Sequence, residues 1–133
     1  MPDAVTDTHS LIWYLEDDPQ LGVNASRVFD DCDRGAAVIY IPTICLVEIV
    51  YLQEKGRISA GLKAQLDAEL QANTTGLALV NLTEEIVNTL MQISRAEIPE
   101  MPDRIIAATG LHLGLPVISR DHKIQSSIVA TIW

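Results

Sequence analysis

The chain has 133 residues, 48% of them hydrophobic, enough for one folded domain with a sizeable core and too few for two ordinary ones. Nine Lys and Arg stand against eighteen Asp and Glu, a net charge of −9 that argues against a broad electrostatic grip on nucleic-acid phosphates. No apolar run approaches the roughly 20 residues of a membrane-spanning helix, and Met1-Pro2-Asp3-Ala4 lacks the basic-then-apolar start of a secretory signal, so a cytoplasmic protein without membrane contact is expected.

In chain order, Ala4-Val5-Thr6 is a short strand candidate, and His9 to Leu15 reads as a first helix. Pro19 and Gly22 mark a turn before a more polar helix from about Val23 to Cys32 that ends near Gly35. The β-rich run Ala37 to Ile41 is bounded by Pro42, with Thr43 placed to cap a helix running to Gly56. Leu62, Leu66 and Leu70 recur at helical spacing up to Asn73, and Leu77 to Leu82 forms a third strand. Thr83, with Glu84 and Glu85 behind it, opens the next helix. Asp103 opens another, stopped by Gly114; Pro116 to Ser119 is a buried strand leading to Asp121, and Ala130 to Trp133 is the last strand. Helices alternating with short apolar strands predict parallel βαβ units in a three-layer α/β/α sandwich, one domain over residues 1–133.

Cys32 and Cys45 belong to no Cys-x-x-Cys pair and read as reduced small hydrophobes. His9, His112 and His122 show no ligand spacing, which argues against zinc. The charge is unevenly spread. Residues 1–50 carry only Arg27 and Arg34 as bases, whereas Arg104, Arg120 and Lys123 gather near Glu100, Asp103 and Asp121, where an anionic ligand is tolerable.

Four acids resist a surface explanation when taken together. Glu48 is the single charge between Ile44 and Leu52, in a helix apolar on nearly every face; such a helix is expected to be buried, and the carboxylate to be paired, metal-bound, protonated or reaching the surface at one edge. Asp7 follows the first strand, Asp103 opens a helix and Asp121 follows a strand, each also a plausible helix or turn cap. Converging at one rim of a parallel sheet, they would repel one another unless a cation lay among them. Hard oxygen ligands without Cys or His select Mg²⁺, with Mn²⁺ as substitute, ions suited to activating water against a phosphodiester.

These residues are where the chain resembles the PIN-domain family and, within it, VapC-like toxins of toxin–antitoxin pairs. Asp7-Thr8-His9-Ser10 resembles the family's first acidic motif, Val47-Glu48-Ile49 its second, Pro102-Asp103-Arg104-Ile105-Ile106-Ala107-Ala108-Thr109 its third and Ser119-Arg120-Asp121 its fourth. Met101-Pro102 stands where Pro-Phe is common, and Glu100 where an Asp often stands. The resemblance implies a sheet of order 3-2-1-4-5 and a Mg²⁺-dependent endoribonuclease, with Asp7, Glu48, Asp103 and Asp121 as catalytic, metal-holding acids. Ser119 would order the site. An RNA substrate, a cognate antitoxin peptide and a homodimer follow as expected partners.

Arg104 and Arg120 are candidates either to contact phosphate or to neutralise carboxylates. Trp13, Tyr14 and the leucines of residues 62–70 read as core or subunit interface rather than as platforms for bases. A PIN-like RNA-processing nuclease without antitoxin, and a non-catalytic partner-binding module, are the competing readings. An aspartyl phosphatase is disfavoured, because it wants an acid two residues after Asp7, where His9 stands; a receiver domain is disfavoured by Asn81 at the end of the third strand.

Overall fold

A computed structural model describes residues 3–133. Twelve elements follow one another: β1 Ala4–Thr6, α1 Thr8–Leu15, α2 Val23–Asp33, β2 Ile39–Pro42, α3 Thr43–Glu54, α4 Leu62–Ala72, β3 Leu77–Val80, α5 Glu84–Leu90, α6 Met101–Leu113, β4 Val117–Ile118, α7 His122–Gln125 and β5 Thr131–Ile132. The five strands form one sheet of order β3-β2-β1-β4-β5, with every pairing parallel. Strands this short and this apolar need cover on both faces, and the helices supply it in α/β/α layers.

The core is one cluster. It runs from Val5, Ile39 and Val117 of the sheet to Leu11, Phe29, Ile49, Leu66 and Ile106 of the helices. Helix α6 packs tightly on the sheet: Ile105 through Gly110 are all buried, and a Cβ on Gly110 would come within 2.5 Å of the Val117 side chain and 3.1 Å of the Leu115 carbonyl. Gly114 then takes the left-handed conformation, φ 68°, that ends the helix. At the far end the Thr83 hydroxyl caps α5 by accepting from Ile86 N, as its position after β3 predicts.

Two expectations fail here. Thr43 does not cap α3. Pro42 occupies the cap position, and the Thr43 hydroxyl instead accepts from Leu82 N, tying the start of α3 to the segment after β3. Nor is α3 buried on most faces. Only Cys45 and Ile49 are fully buried, while Val47, Val50 and Tyr51 are exposed, so its apolar composition reflects a surface as well as a core.

In an open parallel sheet the crevice lies beyond the carboxyl ends of the strands, where the chain order reverses. Here that is the β1–β4 seam. Asp7 N donates to the Ile118 carbonyl at 3.1 Å, so the residues leaving β1 and β4 are fastened side by side.

Candidate active site

Each acid is delivered by a different element. Asp7 is the N-cap of α1, with Oδ1 accepting from Ser10 N at 2.9 Å. It is buried as well as capping, and it also walls the cleft. Glu48 rides on α3, half-buried, and its Oε1 accepts from the buried Thr8 hydroxyl. Asp103 stands in the first turn of α6. Asp121 caps the short α7, with Oδ1 accepting from Lys123 N at 2.8 Å and Ile124 N at 3.2 Å.

The four meet around a cleft of about 560 Å³ at the predicted rim. Glu100, His9, His122, Trp13 and Arg120 also line it. Ser119 is fully buried beneath, and its hydroxyl accepts from Asp121 N at 3.0 Å, which sets the angle at which the last acid leaves β4. Cys45 is also fully buried, its thiol directed at the Thr6 carbonyl, and burial keeps it protonated.

Electrostatically the cleft is strained. Burial, followed by the charges of Asp121, Glu48, Asp7 and Glu100, pushes the Asp103 carboxyl up to about 6. No ion pair relieves these acids: the two salt bridges among the described residues, Arg34–Asp31 and Lys63–Asp67, lie elsewhere.

The four acids offer hard oxygen donors. Among the described residues no three His, Cys, Asp or Glu side chains are close enough to grip one ion together. Mg²⁺ needs less, taking one or two carboxylates and keeping several waters. Among the described residues, Asp7, Glu48 and Asp121 each commit one oxygen to a backbone amide or hydroxyl and leave the other without a hydrogen bond, and Asp103 commits neither.

The two arginines part company. Arg104 is turned away from the cleft, its Nε donating to the Ile93 carbonyl at 2.9 Å and an Nη to the Leu90 carbonyl at 3.2 Å, where it satisfies the end of α5. Arg104 thus meets backbone carbonyls in this structure and does not line the cleft. Arg120 faces the cleft with its guanidinium 4.6 Å from the centre of the Trp13 ring.

Charge in the sequence pointed to Glu100 but gave Thr8 no role, and Trp13 read as core or interface. Thr8 had a signal, because it sits between Asp7 and His9 in a short motif; Trp13 had none beyond its place one turn further along α1.

The profile of the PIN domain family matches residues 4–127. The chain belongs to the PIN domain family. Among characterised relatives, this PIN domain is 22% identical to Ribonuclease VapC22 of Mycobacterium tuberculosis over 126 residues, 95% of this chain and 92% of that one. Among solved structures it superposes on a chain of the VapBC2 complex of Rickettsia felis, bound to a fragment of promoter DNA, with a TM-score of 0.70 at 14% identity, covering 96% and 95% of the two chains. It also matches Mycobacterium tuberculosis VapC20, a toxin that cleaves the sarcin–ricin loop, with a TM-score of 0.62 at 14% identity over 93% and 94%. At these identities the superpositions speak for the PIN fold.

Proposed function

We propose that residues 1–133 act as one PIN-like endoribonuclease, the toxin of a toxin–antitoxin pair, with Asp7, Glu48, Asp103 and Asp121 as its catalytic acids and Mg²⁺, or Mn²⁺ in its place, as cofactor. The observation that carries this reading is the convergence of four carboxylates on one rim of a parallel sheet, with Asp103 pushed up by burial and then by its neighbours' charges. Evolution has no stability reason to gather such charge; a cation and an anionic substrate give it one.

When bound, the metal supplies an activated water and neutralises charge on the leaving oxygen of the phosphodiester. The protein's own groups prepare the place. Thr8 and the Ser10 amide each hold one carboxylate oxygen, so Glu48 and Asp7 present the other toward the cleft without rotating. Ser119 and the first turn of α7 do the same for Asp121. Arg120 offers N–H donors to a phosphate oxygen.

Partners follow from surface chemistry and from the named relatives. An antitoxin segment with a basic side chain would complement the acidic cleft and block metal and RNA together. Val47, Val50 and Tyr51 on α3, with Val87 on α5 and Met91 just after it, expose apolar area that a second copy would cover in a homodimer. No helix among the described residues is long and apolar enough to cross a membrane.

Cleavage of structured RNA by purified protein, with and without Mg²⁺ or Mn²⁺, tests the assignment. Metal-dependent cleavage that is lost in Asp7→Asn is expected. Unchanged cleavage by that variant overturns the site, and metal-independent cleavage overturns the cofactor.

A further inference from the structure

The chain's two tryptophans, Trp13 and Trp133, meet beside the acidic cleft, their ring centres 5.8 Å apart and edge to face at 65°. Trp13 is half-buried on α1 and forms part of the cleft wall. Trp133, just past β5, presses on Gly22, where any Cβ would come within 2.8 Å of the indole. His9, one turn before Trp13, tilts toward it with ring centres 5.8 Å apart. The Trp13 ring is thus fixed by neighbours on several sides, and the Arg120 guanidinium rests over it.

That placement is unexpected on charge alone. Arg120 shares the cleft with Asp7, Glu48, Asp103 and Asp121, yet lies within 4.0 Å of no acidic oxygen among the described residues. A cation among carboxylates ordinarily collapses onto one of them. A planar guanidinium over an indole face gains a competing attraction and keeps its N–H edge open.

We propose that Trp13 is a positioning residue for the nuclease reaction: with Trp133 as its brace, it holds Arg120 at the lip of the cleft and away from the acids. The guanidinium then remains free for a phosphate of the RNA backbone beside the one that is cleaved. This rests on the nuclease reading above. An anionic strand approaching four carboxylates meets one fixed cation, and binding is steered to that register. Trp13 does not serve as a stacking platform for a base, because the guanidinium occupies its ring.

Steady-state cleavage of a short RNA at saturating Mg²⁺, repeated across a salt series, tests the inference. Arg120→Ala should raise KM on the order of tenfold with kcat little changed, and lower the slope of log KM against log salt by about one, the signature of one lost phosphate contact. Trp13→Leu should reproduce most of that loss, Trp13→Phe should restore wild-type behaviour, and Trp13→Leu should add nothing in the Arg120→Ala background. A Trp13 that merely packs would cost the same in both backgrounds, which overturns the positioning role. Arg120 is exposed, so its own variant folds and its salt slope decides the phosphate contact even where Trp13→Leu does not fold. Normal KM and slope in Arg120→Ala, with cleavage still dependent on Asp7, overturn this inference and leave the nuclease intact. A wild-type protein that neither cleaves nor binds RNA overturns both.

Discussion

Arg104 and Arg120 each sit beside a cleft acid in sequence, and the structure sends them to opposite tasks. Arg104 follows Asp103 on a helix, where successive side chains diverge by about 100°, so a carboxylate aimed at the cleft sends its neighbour to the flank. There the guanidinium finds the carbonyls of Leu90 and Ile93. Arg120 precedes Asp121 in the irregular segment after β4, where no helical repeat separates the pair, and both line the cleft. Adjacency to a cleft acid says little about a base; the backbone between them decides.

The seam joining these two regions should give the largest effect when broken. Gly110→Val drives a branched side chain of α6 into Val117 and the Leu115 carbonyl, and should cost about 3 kcal/mol in chemical denaturation. Arg104→Ala strips two charge-assisted hydrogen bonds from partly buried carbonyls and should cost about 2 kcal/mol while leaving KM for RNA unmoved. A changed KM with unchanged stability would reverse the contrast between the arginines.

Asp103→Asn acts with the opposite sign. Its folded-state carboxyl, at about 6, lies above the ordinary 3.8, so the proton is held more tightly in the folded chain. The stability this confers is full below about 3.8 and is lost as pH climbs through about 6. Metal-free protein should therefore weaken across that window, whereas the Asn variant should stay flat and melt higher near neutral pH, by about 1 kcal/mol given the half-exposed site. Added Mg²⁺ should remove the wild-type penalty and do little for the variant. The smallest change belongs to Arg120→Ala, under about 0.5 kcal/mol in stability, the converse of Arg104.

Much of this was legible in the residues. The order of helices and strands, the left-handed stop at Gly114 and the Thr83 cap follow from local chemistry that tertiary packing left alone. The common rim of the four acids was legible too, because Asp7 and Asp121 follow strands, Asp103 opens a helix, and Glu48 is the single charge between Ile44 and Leu52 in the helix after β2. What the residues could not disclose was how each polar group is satisfied at long range. Thr43 read as a cap because nothing local showed that Leu82 N, distant in sequence, would claim its hydroxyl. α3 read as buried because an apolar stretch does not say whether its second face meets the core or a surface. Trp13 gave no warning of Arg120, since the contact joins α1 to the end of β4.

Gathering both tryptophans at one spot also gives the protein a built-in optical reporter. Its ultraviolet emission arises beside the acids, not evenly through the fold, so a change in emission will register events at the cleft before it registers global melting. Mn²⁺, a paramagnetic quencher, should dim the signal on binding with no label attached. An unfolding curve followed by this emission will trace the loosening of α1 and β5 first, and will part from a circular-dichroism curve wherever the cleft frays ahead of the sheet.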